Sequence, residues 1–529
     1  MMTVSASRYP MARIPVLASN VVAASQPLAA QAGLRMLLAG GSAVDAALAA
    51  AATLTVVEPI MNGIGGDLYA AVWDGERLHA LNSTGASPAA WHRSRFDKYD
   101  QMPMKGWDTV TVPGQVAGWR ALSKRFGKLP FQQLFGPAVD YAERGFPVSP
   151  FVASVWSELA ALVSDQPGFA KTFLIDGRPP VAGEVWRAPG HARALQAIAE
   201  TEGESFYRGA LAEAIVSFSE RTGGCLSLDD FAAHEPIWCE PLSLQYRDYT
   251  LHELPPNGFG IAALMALGIL EHFDVRAMGQ DSADAYHVQI EAMRLAFADL
   301  YKHVSDPRSM RVPVTSLLDR DYLAQRARLI DLRRAGAPAP GKPRLGGTVY
   351  LTTADASGMM VSLIQSNYWA FGSGLVVPDL GIALHNRGSN FTLERGHPNE
   401  VGPRKVPLHT IIPGFVTRHG APVMSFGVMG GAMQTQGHLQ FLSRLGDFDQ
   451  EPQSICDAPR FMLSPTDGVV NVEAHMPRDV ANLLAARGHR MQTFPTGHLT
   501  FGSAQLISRV GNNYCAVSDP RRDGIAAGF

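Results

Sequence analysis

Residues 346–366 read GGTVYLTTADASGMMVSLIQS, and the fold turns on how this stretch is read. Val349 to Thr353 and Met359 to Gln365 are apolar, β-branched runs, and Asp355-Ala356-Ser357-Gly358 between them is a turn signal, so the two runs form a hairpin. Folding about a tip near Ala356 and Ser357 brings Gln365 or Ser366 opposite Thr348. The preceding segment, Arg333 to Gly347 (RRAGAPAPGKPRLGG), holds too many prolines and glycines for a regular element and reads as an exposed loop. Thr348 therefore stands where a loop meets a strand.

Working outward, the chain is strand-rich after this point and helix-rich before it. Leu375 to Val377 and Val423 to Gly427 are β-type runs, and Met433 to Leu445 has helical periodicity. Upstream, Gln26 to Pro59 reads as two helices separated by Gly40-Gly41, with Ser42 and Asp45 forming a capping-box pattern before an alanine-rich interior helix. Asn62-Gly63-Ile64-Gly65-Gly66-Asp67 leads into a strand over Leu68 to Trp73; it lacks the GK[ST] of a phosphate loop and reads as a tight turn. Residues 110–330 are mostly helical by periodicity. Helices before and strands after point to covered sheets.

The chain has 529 residues, a length that alone suggests three or four domains. It is 46% hydrophobic and 18% charged, which excludes a disordered or fibrous chain. A net charge of −3 offers no basic field for nucleic acid or an anionic membrane, so neither is expected as a partner. Four scattered cysteines (Cys225, Cys239, Cys456, Cys515) show no metal or disulfide spacing and read as structural thiols. Met1 to Ala30 lacks a signal-peptide core and no window approaches a spanning run, so a cytoplasmic location is expected.

If the backbone were cut before Thr348, one residue would carry both a nucleophilic hydroxyl and an α-amine titrating near neutrality, at about 7.7–8.0. An isolated Gly-Thr is equally the start of an ordinary strand. Ser366 then serves either to orient or relay a proton, or as a polar strand residue. Gly430-Gly431, between a strand and a helix, exposes backbone N–H groups of the kind an acyl-transfer oxyanion needs, or is a turn chosen for shape. No GxSxG occurs and no cysteine has a catalytic setting, which argues against a serine or cysteine hydrolase.

Several blocks together carry a family resemblance: GLRMLLAGGSAVDAALAAA, VEPIMNGIGGDLY, VPGQVAGW, PAVDYAERGFPV, HVQIEAMRLAFADLYKHVSDP, FGSGLVVPDLGIALHN, VMGGAMQTQGH and SDPRRDG. The sequence resembles the γ-glutamyltransferase family of N-terminal-nucleophile hydrolases. The resemblance implies an α+β, four-layer αββα sandwich and a proenzyme cut between Gly347 and Thr348. Residues 1–347 and 348–529 would then be two segments of one intertwined domain, a heterodimer after processing. It implies no metal or cofactor. It places Thr348 as nucleophile, Ser366 where a second threonine assists it, and Gly430 and Gly431 as the oxyanion-hole glycines.

The substrate pocket departs from the family pattern. The arginine that clamps the substrate α-carboxylate should fall within Asn82 to Pro88, where there is none. The acidic residue that reads the glutamyl amino group corresponds to neutral Asn390. One of two pocket serines corresponds to His409, with Thr410 keeping the other hydroxyl. Arg387, three residues before Asn390, either anchors a carboxylate from another direction or forms a structural ion pair. His409 reads as a packed polar residue or part of the pocket, and Trp369 and Phe371 as core or pocket wall. The expected activity is cleavage of a small amide whose acyl part carries a carboxylate. γ-Glutamyl hydrolysis or transfer is the family's usual reaction, and some relatives with the Ser366-type spelling hydrolyse small acid amides such as oxamate. An uncut, non-catalytic binding relative is the competing class.

Overall fold

The computed structural model describes residue 9 and residues 13–336 and 347–529. The reading of the first residues and the expected loop across 337–346 lie outside the described residues. Two seven-stranded sheets form the centre. One runs in the order Ile525–Gly528, Val21–Ala24, Gly347–Ala354, Met360–Tyr368, Asp67–Trp73, Leu78–Ser83, Ile237–Cys239. The other runs Val16–Ala18, Asn513–Ser518, Ser503–Val510, Ala421–Met429, Gly414–Arg418, Tyr249–Glu253, Leu242–Tyr246. Both sheets mix strands from before and after residue 348, so neither half of the chain forms a sheet alone.

Three apolar layers follow from strand alternation, since successive side chains point to opposite faces. Val349 and Leu351 join the helix Ala43–Val57 in one core. Tyr350 and Ala354, from the same strand, join Ile364, Phe415 and Ile507 between the sheets. Met424, Phe426 and Val428 point away from that layer onto the helices Gly260–Leu270 and Met433–Phe448. Helix, sheet, sheet and helix are thus stacked in an αββα sandwich. The two helices nearest the sheets, Ala43–Val57 and Gly260–Leu270, are buried at every position, as expected of helices apolar all round. The Ser42–Asp45 capping box is present.

The hairpin pairs Val349 with Gln365 and Ala354 with Met360. One region departs from the sequence reading. Within the stretch read as mostly helical, Leu242–Tyr246 and Tyr249–Glu253 form a hairpin. Leu242, Leu244 and Tyr246 alternate at period two, and Arg247 turns the chain with a left-handed φ of 53°. All four cysteines are free thiols. Among the described residues no helix is long and apolar enough to cross a membrane.

Candidate active site

The strand Gly347–Ala354 begins one residue before Thr348, and its register slips there: Gly347 pairs with Tyr368 while Val349 pairs with Gln365. The extra residue on the facing strand makes a bulge, a device that re-aims side chains next to functional sites. Tyr368 takes a left-handed φ of 78°, which a bulky residue adopts only under constraint. At the bulge, Thr348 Oγ1 donates to Ser366 Oγ (3.2 Å). Ser366 Oγ in turn donates to the carbonyl oxygen of Gly347 (2.6 Å) and accepts from the Tyr368 N–H (2.7 Å). One hydroxyl thus joins the nucleophile candidate to the carbonyl of the peptide bond before it.

Gly347, Thr348 and Gly430 line a common cavity of about 280 Å³, with Trp369, Met429, His498 and Arg522 among its walls. Gly430 has φ 120° and Gly431 φ 59°, a pair of left-handed conformations that lets the chain turn from the strand Ala421–Met429 into the helix starting at Met433. Gly431, the next residue, is buried, and of the two glycines it is Gly430 that lines the cavity. Trp369 is a pocket wall, whereas Phe371 is fully buried core.

Sequence reasoning missed Asp67. It pairs in register with Ser366 on the neighbouring strand, so Thr348, Ser366 and Asp67 form one row across the sheet. The glycines before it allow this approach, because a Cβ on Gly66 would sit 2.8 Å from the carbonyl oxygen of Ser366. Asp67 Oδ1 accepts the N–H groups of Gly114 (3.0 Å) and Gly85 (3.3 Å), and Oδ2 lies 3.1 Å from His409 Nε2 and 3.9 Å from Arg387 Nε. Burial pushes its carboxyl up to about 7, against the opposing pull of Arg387 and the two N–H groups. His409 is stacked on Tyr69 at 4.8 Å, and burial followed by the charges of Arg387 and His385 lowers it well below the usual imidazole range.

Arg387 is fully buried, donates from Nη1 to Thr410 Oγ1 (3.0 Å) and lies 4.7 Å over the Tyr368 ring. Burial lowers it to about 10, which leaves it charged at neutral pH. Its Nε and Nη2 have no hydrogen-bond partner among the described residues, and neither has Asn390 Nδ2. Arg387–Asn390 is a single 3-10 turn, in which residues three apart eclipse, so the two share a face. Of the pocket residues read from sequence, Arg387 and His409 meet at Asp67 and Thr410 is held by Arg387, while Asn390 is joined to them through the turn it shares with Arg387; none of the four lines the cavity that holds Thr348 and Gly430.

Removing one charge from such a buried pair leaves the other unpaired. Arg387→Met is expected to lower stability by about 3–5 kcal/mol, read as a lower urea midpoint, and Asp67→Asn in the same chain is expected to restore part of it. Loss of less than about 1 kcal/mol on Arg387→Met would show that the two charges are not coupled.

Residues 29–529 match the model of the family described as gamma-glutamyltranspeptidase. The chain belongs to the γ-glutamyltranspeptidase family. It is 35% identical over 518 residues to the glutathione hydrolase-like YwrD proenzyme of Bacillus subtilis, covering 96% of this chain and 98% of that protein. It is 34% identical over 525 residues to the oxamate amidohydrolase proenzyme of Klebsiella pneumoniae, with the same coverage. The crystal structure of cephalosporin acylase from Bacillus halodurans superposes with a TM-score of 0.94 at 45% identity, over 100% of this chain and 99% of that one. This γ-glutamyltranspeptidase-family chain is thus an enzyme of the hydrolase and acylase type acting on amide bonds, with the N-terminal-nucleophile hydrolase fold.

Proposed function

We propose that the protein is a self-processing N-terminal threonine amidohydrolase whose acyl substrate carries a carboxylate. The observation that carries this is the hydrogen-bonded chain from Thr348 Oγ1 through Ser366 Oγ to the Gly347 carbonyl oxygen. In processing, the Thr348 hydroxyl attacks the Gly347 carbonyl carbon. Its proton passes to Ser366 Oγ while the Ser366 proton moves to the carbonyl oxygen, so charge separation is kept small. Collapse breaks the C–N bond, the Thr348 nitrogen takes a proton, and an ester joins Gly347 to the threonine oxygen. Water then releases residues up to Gly347 and leaves Thr348 with a free α-amine. Two segments, ending at Gly347 and starting at Thr348, remain interleaved in both sheets. The proenzyme names of the relatives agree with such a cut.

In turnover the new α-amine is the base. The Thr348 hydroxyl adds to a substrate amide, Gly430 and Gly431 supply N–H groups to the oxyanion, the amine departs, and water or another amine takes the acyl group. No step requires a metal or cofactor. The unpartnered N–H groups of Arg387 and Asn390 supply the carboxylate site, since buried donors without acceptors are costly unless a ligand or water satisfies them. With neutral Asn390 at the acidic position and no arginine from Asn82 to Pro88, an oxamate-like acid amide fits this site better than a γ-glutamyl group.

The test is a screen of the processed protein on γ-glutamyl-p-nitroanilide, glutathione and oxamate, with Arg387→Ala and Asn390→Ala. Charge-assisted hydrogen bonds contribute about 1.5–3 kcal/mol each, so each variant should lose about tenfold or more in kcat/KM on acid amides and less on neutral ones. Equal losses on anionic and neutral amides would sink the anchor.

A further inference from the structure

His287 and Glu291 stand one turn apart on the helix Ala283–His303, so their side chains share a face. Gly488, left-handed at φ 95°, turns the chain from the helix Arg478–Ala486 towards the strand Met491–Phe494 and brings His489 against that face. All three residues are buried, His489 at 4% exposure. One ligand atom from each lies within 4.8 Å of the other two, a grouping of histidine and carboxylate far from the Thr348 cavity and unused by the mechanism above.

The hydrogen bonds decide what each ring nitrogen can be. His287 Nε2 lies 2.8 Å from the carbonyl oxygen of Asp331, which can only accept, so Nε2 carries the proton and Nδ1 of the neutral ring is a bare lone pair. That lone pair meets His489 Nε2 at 2.8 Å. If His489 donates there, its own Nδ1 is bare, has no hydrogen-bond partner and stands 3.9 Å from Glu291 Oε1, lone pair against carboxylate. If the proton sits on Nδ1 instead, two bare nitrogens oppose each other, and Nδ1–H is still beyond hydrogen-bond reach of the carboxylate. Either tautomer leaves a buried nitrogen unsatisfied. A cation bound to His287 Nδ1, His489 Nε2 and the Glu291 carboxylate removes that cost in the second tautomer without displacing a proton.

The surroundings suit ligation. The Asp331 carbonyl fixes the His287 ring, and Glu291 is oriented by Arg294 Nε on Oε1 (3.1 Å) and by the Gly336 N–H on Oε2 (3.0 Å), which are the outer contacts that ligating histidines and carboxylates use. Two imidazoles and a carboxylate select zinc and its borderline neighbours over magnesium and calcium, which take oxygen ligands. A water or the second carboxylate oxygen completes four ligands. The place is equally specific: His287 and Glu291 precede Thr348, His489 follows it, and Gly336, eleven residues before Gly347, is tied to Glu291 while the Ala335 N–H donates to the Arg487 carbonyl (2.8 Å). We propose that His287, Glu291 and His489 form a structural site for a zinc-type divalent cation, which pins the end of the first segment to the second. The site stands apart from the acyl-Thr348 reading; its joining of two separate fragments rests on that reading.

The experiment treats the full-length protein with a chelator, moves it to metal-free buffer and titrates it with zinc chloride alone, in parallel for wild type, Thr348→Ala, His287→Gln, His489→Gln and Glu291→Gln. Wild type and Thr348→Ala should each bind one zinc per chain and gain in Tm, with no response to calcium or magnesium. Each ligand variant should bind zinc at least about a hundredfold more weakly, since even outer-shell partners contribute about 10–100-fold, and its Tm should not respond. Cobalt(II) in place of zinc should give the visible d–d bands of a four-coordinate site in wild type and not in the variants. No zinc uptake by wild type, uptake unchanged in the ligand variants, or an equal response to calcium overturns the proposal. Should a variant fail to fold, the wild-type stoichiometry and cobalt spectrum still decide. An uncut wild type that binds zinc defeats the processing mechanism and leaves the site standing; a cut wild type that binds none does the reverse.

Discussion

Thr348→Ala is expected to remain a single chain of 56.9 kDa and to lose at least about 10⁴-fold in amide hydrolysis, because the nucleophile of both self-cleavage and turnover is removed together. The substitution deletes a hydroxyl and a methyl from a buried strand position whose backbone pairing does not depend on either, so the fold should persist. Thr348→Ser keeps the hydroxyl and should still process, more slowly. The two variants together separate chemistry from packing: a gel showing two fragments for Thr348→Ala would mean that another group cuts the chain.

Ser366→Ala has the second largest expected effect, on the rate of processing. Ser366 Oγ is the hydrogen-bond donor to the scissile carbonyl and the acceptor for the Thr348 hydroxyl, so its loss removes carbonyl polarisation and the path for the proton in one change. Deleting one preorganised donor to a developing oxyanion costs about 10²–10³ in rate, and the half-time for conversion of the single chain into fragments should lengthen by that factor. Ser366→Thr preserves the hydroxyl and should restore most of the rate. An unchanged half-time in Ser366→Ala would assign the hydroxyl to holding the Tyr368 N–H alone.

The parts of this site legible in the sequence are those fixed by local chemistry. The Asp355–Gly358 turn sets the hairpin register, so spacing alone brings Gln365 or Ser366 opposite Thr348, and the observed pairs continue from Ala354–Met360 to Val349–Gln365. The bulge beyond them was not legible, because it depends on Tyr368 being held in a left-handed conformation by its surroundings. Asp67 was hidden for a different reason. Its contact with His409 spans 342 positions, and the glycine loop before it looks like a turn until Ser366 is laid against Gly66. The hairpin Leu242–Glu253 is hard to see because its period-two alternation is short and lies within a stretch that is mostly helical by periodicity.

The departures from the γ-glutamyl pattern are consistent across these residues. Asn390 and Arg387 present donors, Thr410 is engaged by Arg387, and burial, followed by the charge of Arg387, holds His409 well below the usual imidazole range. All of them depend on Thr348 becoming a chain terminus. Intact-mass measurement of the purified wild-type protein under denaturing conditions tests this most directly. Two fragments are expected, one ending at Gly347 and one of residues 348–529 with threonine at its N-terminus. A single uncut chain, or a new N-terminus at any other residue, would contradict it.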